Sequence, residues 1–131
     1  MRWPDHEQDG FELLSAEERH AANPDTFWIP TLQVRSSLQR GQAAKLLFDI
    51  RFEEHGRPML GTERMWVIVS RQEGDVYMGV LDSIPRTTAS GDYLQTGVEV
   101  AFLPEHVCDT GNPPEEYSNW RLEQPPIQRW T

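Results

Sequence analysis

The stretch from Glu63 to Asp82, ERMWVIVSRQEGDVYMGVLD, decides the fold. It holds two apolar runs rich in β-branched and aromatic residues, separated by Glu73-Gly74-Asp75, which is typical of a tight turn. The sequence therefore predicts a β-hairpin. Because side chains alternate between the two faces of a strand and neither face of the first run is clearly polar, we expect that strand to be central and covered on both sides.

Further strands are predicted on either side of this hairpin. Residues 44–52 and 98–103 are apolar runs, the first with clear alternation. Residues 26–29 are apolar and precede Pro30, which suits an edge strand. Residues 53–62 contain two glycines and a proline, so we expect a loop there.

Two short helices and a repeated turn complete the predicted elements. Ser15 and Glu18 form a capping box ahead of a helix that should end at Ala22, and Pro104 should begin a single helical turn. Leu-Gln-x-Gly occurs at residues 38–41 and again at 94–97. In each copy we expect the glycine to adopt a positive φ and the leucine to enter the core.

Together these elements predict an α+β fold with a small curled antiparallel sheet, or an SH3-like half-open barrel, and a short N-terminal helix. The 131 residues fit a single domain over 1–131. We expect its core at about residues 26–107 and peripheral tails at 1–10 and 123–131.

The net charge of −9 is unevenly distributed. Residues 1–25 carry seven acids against two arginines, residues 26–98 are balanced, and residues 99–131 carry six acids against two arginines. The excess either serves solubility or forms an acidic surface that attracts a basic protein. A single lysine and the lack of a basic run argue against nucleic-acid binding.

Features that the sequence lacks bear on where the protein is located and on whether it holds a cofactor. There is no run of 18 apolar residues, and the opening MRWPDHEQDG has no apolar signal core, so we expect a cytoplasmic protein without a membrane partner. Cys108 is the lone cysteine, and its two-residue spacing from His106 does not suit a metal site. No flanking pattern supports Cys108 as a nucleophile with His106 as its base. We predict no catalytic residues, metal or cofactor.

The acidic segments also contain aromatic residues, a combination suited to an interface with a basic protein. The alternative is that the aromatic residues belong to the core and the acids are solvated. The candidate partner-binding residues are Glu12, Glu17, Glu18, Trp28, Glu115, Glu116, Tyr117 and Trp120.

A second candidate site lies at the end of the predicted hairpin. Glu63 and Arg64 could form charged contacts with Asp82 that close the sheet. Alternatively, a ligand or partner pocket could be built there from Arg64, Trp66, Tyr77 and Asp82.

The sequence resembles a known family over roughly residues 26–107. The residues that carry the likeness are Leu38-Gln39-x-Gly41, Lys45-Leu46-Leu47-Phe48, Glu63-Arg64-Met65-Trp66-Val67, Gly79-Val80-Leu81-Asp82-Ser83-x-Pro85, Gly97 and Val100-x-Phe102-x-Pro104-Glu105-His106-Val107. They are similar to small bacterial YegJ-like domains of unknown function, which are related to predicted immunity proteins of polymorphic-toxin systems.

The resemblance implies a non-enzymatic immunity protein that neutralises a cognate toxin domain, and it transfers no catalytic residues. A small-ligand-binding or accessory housekeeping domain is the alternative function.

Overall fold

The computed structural model describes residues 1–89 and 91–130. The helices are α1 (His6–Asp9), α2 (Ala16–Ala22), α3 (Leu32–Arg35) and α4 (Glu115–Glu123), with a 3₁₀ turn at Pro104–His106. The strands are β1 (Phe11–Leu13), β2 (Ala43–Glu54), β3 (Arg57–Glu73), β4 (Val76–Leu81), β5 (Glu99–Phe102) and β6 (Val107–Gly111). None of the helices described is long and apolar enough to cross a membrane.

The strands of the described residues form one antiparallel six-stranded sheet in the order β1-β2-β3-β4-β5. β6 pairs with residues 43–46 of β2, on the same edge of β2 that pairs with β1. The 3₁₀ turn connects β5, at the other end of the strand order, to β6. The sheet therefore curls into a half-open barrel. This confirms the predicted α+β class, the curled antiparallel sheet and the short N-terminal helix.

The hairpin predicted over residues 63–82 is present as β3 and β4. Gly74, which joins the two strands, has a φ of +62°, a left-handed conformation that glycine adopts without a steric penalty. β3 lies between β2 and β4 in the sheet, and Val67, Ile68 and Val69 are buried in succession. The central position expected from the lack of a polar face is confirmed.

The loop predicted at residues 53–62 is wrong. β2 continues to Glu54 and β3 begins at Arg57, leaving a two-residue turn at His55 and Gly56 with φ values of 52° and 75°. Two successive positive φ angles are typical of the tight hairpin turn that matches strand twist. Residues 51–62 therefore form a projecting hairpin, called the arm here. Pro58 lies opposite Glu53 near its turn, at an edge position where a strand tolerates proline.

The edge strand suggested at residues 26–29 is also absent from the structure. β1 and β6 occupy the side of β2 that faces away from β3, and residues 26–29 form no strand. Phe27 packs with Ala16, Leu47 and Cys108 in a small second hydrophobic cluster, whereas Trp28 is 72% exposed. This segment covers the sheet rather than extending it.

The capped helix and both Leu-Gln-x-Gly turns are confirmed. Ser15 Oγ accepts a hydrogen bond from the Glu18 backbone N–H over 3.2 Å at the start of α2. The fourth position of each turn behaves as predicted, with φ values of +94° at Gly41 and +95° at Gly97. The first position of each turn, Leu38 and Leu94, is buried in the main core.

The main hydrophobic core reaches beyond residues 26–107. Phe11 and Trp130 belong to it, with 2% and 6% of their surfaces exposed. The segments expected to be peripheral tails are therefore anchored: Trp130 enters the core, and its indole Nε1 donates a hydrogen bond to the Arg2 carbonyl oxygen over 3.0 Å. An aromatic residue close to a sequence end carries no periodic signal, so sequence patterns gave no indication of this burial.

Candidate functional site

The candidate site lies on the outer face of the sheet, where β6, β2 and β3 run side by side. Lys45 of β2 is paired with Trp66 of β3 and with Asp109 of β6. Ala43, two residues earlier, is paired with Ile68 and Gly111 in the same way. Because directly paired residues project from the same face, these side chains form two adjacent rows across one surface.

The row that contains Ala43 forms the floor of an open cavity of about 300 Å³. This cavity, called the apolar pocket here, is lined by Ala43, Trp66, Ile68, Gly111, Tyr117 and Asp82, among others. Ile68 and Ala43 are buried, whereas Trp66 is half-buried and Tyr117 is exposed.

The second row leads into a smaller cleft of about 120 Å³. It is called the cationic cleft here, and its lining includes Phe27, Trp28, Lys45, Arg64, Cys108 and Asp109. One step of two residues along each of β2, β3 and β6 leads from the pocket to the cleft. Two residues of strand span roughly 6.6 Å, so the two cavities are neighbours on this face of the sheet, and the pair is called the outer trough here.

Both cations of the cleft are held against aromatic rings. The Lys45 ammonium lies 4.9 Å from the centre of the Trp66 ring, and the Arg64 guanidinium lies 5.2 Å from the centre of the Phe27 ring. Within the described chain, no carboxylate oxygen lies within 4.0 Å of either cation. A cation–π contact uses no N–H donor, so both groups keep donors for another acceptor.

The opposite wall of the trough is fixed by Asp82. Its carboxylate accepts hydrogen bonds from the Tyr117 hydroxyl over 2.6 and 2.7 Å, and from Arg121 Nε over 2.7 Å. The hydrogen bond to Asp82 raises the pKa of Tyr117 above its usual value, because the carboxylate disfavours ionisation of the phenol. These contacts attach α4 to the end of β4 and fix the position of Tyr117.

Residues Glu115, Glu116, Tyr117 and Trp120 define the exposed α4 surface. Tyr117 and Trp120 have ring centres 5.8 Å apart and are 39% and 49% exposed, so neither belongs to the core. Arg121 lies 4.8 Å from the Trp120 ring centre and is already paired with Asp82. The surface therefore combines two rigid aromatic rings with two acidic side chains in the first turn of the helix.

The remaining predicted partner-binding residues lie elsewhere. Glu17 pairs with the buried Arg35 at 2.6 Å, and Glu12 lies 3.1 Å from His6 Nδ1, so both are engaged in contacts within the protein. Glu18 is exposed on α2, and Trp28 lines the cationic cleft. Of the predicted acids, Glu115 and Glu116 therefore lie on α4, and Glu12, Glu17 and Glu18 lie on β1 and α2.

Tyr77 does not line the pocket for which it was a candidate. It is buried and stacks on Phe102 at 5.2 Å. Its hydroxyl donates to the Arg35 carbonyl and accepts from the Leu38 N–H, each over 3.0 Å. The β4 sequence is apolar on both faces, so alternation alone could not indicate which face points inward.

The charged contact considered between Glu63-Arg64 and Asp82 is replaced by others. Asp82 pairs with Arg121, and Glu63 accepts from the backbone N–H groups of Arg86 and Thr87. Of the four pocket candidates, Trp66 and Asp82 share the apolar pocket, while Arg64 lies at the adjoining cleft.

His106 and Cys108 are buried rather than presented to solvent. His106 Nδ1 accepts from the Leu103 N–H over 2.9 Å, and burial lowers the pKa of the imidazole. Burial raises the pKa of the Cys108 thiol, and the positive charges of Arg64 and Lys45 oppose that rise. Residues 1–89 and 91–130 contain no group of three His, Cys, Asp or Glu side chains placed to hold a metal.

Lys45 and Arg121 are two of the site residues that sequence patterns missed, and Ala43 and Ile68 are two others. The alternation of residues 44–52 does place Lys45 on the polar face of its strand, and it is the only lysine in the chain. The contact between Arg121 and Asp82 joins residues 39 positions apart, and no local pattern reports it.

Comparisons with protein-family models, with curated proteins and with solved structures find no match to this chain. The resemblance to YegJ-like domains therefore stays a prediction.

Proposed function

We propose that this is a non-enzymatic binding protein that engages a basic protein partner through the α4 surface. More specifically, we propose a cytoplasmic immunity protein that neutralises a cognate bacterial toxin. The observation that supports this most directly is the contact between Tyr117 and Asp82, which holds an exposed Tyr–Trp pair in place beside two acids.

Rigid aromatic anchors are effective in interfaces. Tyrosine and tryptophan are enriched among the residues whose truncation weakens a complex most. Side chains that are ordered before binding lose less conformational freedom when the partner arrives. Tyr117 is ordered before binding by the contacts of its hydroxyl with both carboxylate oxygens of Asp82. Trp120 is ordered by its contacts with Tyr117 and Arg121.

The charge around these anchors favours a cationic partner. Glu115 and Glu116 are exposed, and no basic group of the described residues lies within 4.0 Å of either carboxylate. The net charge of −9 adds a long-range field that speeds the approach of a basic protein and repels nucleic acid. Glu12, Glu17 and Glu18 contribute to this field, and Trp28 offers a second exposed ring at the far end of the trough.

The non-enzymatic and cytoplasmic parts of the proposal have separate support. Cys108 and His106 are buried, so neither is presented as a nucleophile or base. Cys108 is also a free thiol without a partner for an internal disulfide, which suits a reducing compartment.

The proposal is tested by co-expression with the protein encoded beside this one, followed by growth measurement and titration of the purified pair. We expect restored growth with the wild-type chain and affinity at least about tenfold weaker for Trp120→Ala. The double variant Glu115→Lys/Glu116→Lys should also bind more weakly and associate more slowly.

The matched control is Glu53→Lys/Glu54→Lys, which makes the same change of charge on the exposed arm. It should retain most of the affinity. The immunity proposal is overturned if the neighbouring product is not toxic and a pull-down with this chain retains no basic protein. Unchanged affinity of both α4 variants overturns the choice of surface.

A further inference from the structure

The outer trough has two chemically different halves that meet at Lys45 and Trp66. Lys45 lines the cationic cleft, Trp66 lines the apolar pocket, and the ammonium group lies 4.9 Å from the ring centre. A ligand that spans both halves therefore needs an apolar part and a polar part within one small molecule.

The cationic half provides donors for an anion. Lys45 is half-buried and Arg64 lies across the same cleft, and neither has a carboxylate of the described chain within 4.0 Å. A guanidinium fork beside an ammonium group matches the geometry of a carboxylate.

Asp109 limits the charge that the cleft accepts. Its carboxylate lies at the β6 side, where Oδ1 accepts from the Thr110 N–H over 2.8 Å. With Lys45 and Arg64 positive and Asp109 negative, the cleft carries one net positive charge. A single carboxylate balances this charge, whereas a dianion would exceed it and face repulsion from Asp109.

The apolar half provides surface for a ring. Trp66 and Tyr117 line this half together with Ala43 and Ile68, and the Tyr117 hydroxyl is already committed to Asp82. Apolar surface with few free polar groups suits a planar hydrocarbon or indole ring. The volumes of about 300 and 120 Å³ set the size of the ligand at one or two fused rings with a short acidic side chain.

We propose that the outer trough binds a small aromatic monocarboxylate, with its ring in the apolar pocket and its carboxylate between Lys45 and Arg64. The site does not depend on a protein partner at α4, so the two proposals fail or succeed separately.

The test compares an acid with its uncharged analogue on the full chain. Indole-3-acetate and indole-3-acetamide are titrated into ¹⁵N-labelled protein, and the resonances of the Trp66 indole and the Lys45 backbone are followed. We expect both probes to shift Trp66, and the acid to bind at least about tenfold more tightly because only it forms charge-assisted hydrogen bonds.

Variants separate the two halves of the trough. Lys45→Met and Arg64→Gln should bring the affinity for the acid close to that for the amide and leave the amide unaffected. Ala43→Leu, which fills the apolar pocket, should weaken both probes. Arg57→Gln removes an exposed arginine from the arm and serves as the control, with unchanged affinity for either probe.

Three results overturn the proposal. The first is equal affinity of the wild-type protein for the acid and the amide. This comparison uses the wild-type chain alone and so does not depend on whether any variant folds. The second is equal affinity for acetate and indole-3-acetate, which would indicate a general anion site. The third is no shift of Trp66 at about 10 mM indole-3-acetate, where even a very weak site would be partly filled.

Discussion

The indole Nε1 of Trp130 donates a hydrogen bond to the backbone carbonyl oxygen of Arg2 over 3.0 Å. The Arg2 guanidinium lies 4.3 Å from the centre of the same indole ring. Phe11 and Tyr93 pack against that ring at centre-to-centre distances of 6.2 and 5.3 Å. The segments before β1 and after α4 are therefore held together by one side chain.

Replacing this side chain should destabilise the whole fold. We expect Trp130→Ala to lower the free energy of unfolding by about 3–5 kcal/mol, as for other large aromatic residues removed from a core. Trp130→Phe should lower it less, since it keeps much of the buried area and loses the hydrogen bond. Urea denaturation measures both, and a Trp130→Ala chain as stable as the wild type would show that the residue is not part of the folded core.

Glu99 provides a second anchor for the same segment. Its side chain is 3% exposed, lies 3.1 Å from Arg71 Nη1, and accepts from the Trp130 N–H over 3.1 Å. Arg71 is 44% exposed, so solvent screens the pair, and we expect Glu99→Gln to lower the free energy of unfolding by only about 1–3 kcal/mol. Glu73→Gln, at an exposed partner of the same arginine, should change it by less than about 0.5 kcal/mol. Similar losses for the two variants would contradict this ranking.

Tyr77→Phe tests the buried hydroxyl that serves the Arg35 carbonyl and the Leu38 N–H. The change leaves two backbone groups without their partner and keeps the ring stacked on Phe102. We expect a loss of about 2 kcal/mol in the free energy of unfolding, because unpaired buried polar groups are costly. Affinity of the outer trough for indole-3-acetate should be unchanged, and a selective loss of that affinity would return Tyr77 to the pocket.

His106 should make stability depend on pH. Burial lowers the pKa of its imidazole below 6.5, and the charges of Glu105 and Glu17 oppose this. Since the unfolded chain then binds more protons, the contribution of His106 is complete above pH 6.5 and is lost as the pH falls from 6.5 toward the lowered folded pKa.

The measurement is the difference between wild type and His106→Asn, whose amide oxygen can replace Nδ1 as the acceptor for Leu103. Carboxylates titrate in both chains, so this difference isolates the imidazole. Parallel stability curves from pH 7 to pH 5 would rule out the effect.

Local patterns predicted the elements whose determinants are contiguous. The hairpin of β3 and β4 follows from its turn residues and β-branched runs, and Leu38-Gln39-Arg40-Gly41 and Leu94-Gln95-Thr96-Gly97 fold as expected because each needs only a positive φ and a buried leucine. The arm was missed because proline and glycine are also found in loops. Only the pairing of Phe52 with Met59 and of Glu53 with Pro58 identifies it as a hairpin.

The outer trough depends on pairings between distant strands. Residues 43–46 meet residues 107–111 with a register shift between Lys45 and Leu46, and nothing in either segment specifies that register. Trp66, Asp82 and Arg64 were singled out as candidates near one end of the hairpin, but the strand that completes the trough lies elsewhere in the sequence.

The arm also has a consequence for self-association. Beyond the Arg51 N–H, which donates to the Gly10 carbonyl over 2.8 Å, its two strands pair only with each other within the described chain, and Met59 and Leu60 are exposed. A bare strand edge of this kind can recruit strands from other molecules. Glu53, Glu54, Arg57 and Pro58 occupy the end of the arm, where charge and a missing N–H discourage further pairing. The arm can therefore extend into solvent without promoting strand pairing between copies of the chain.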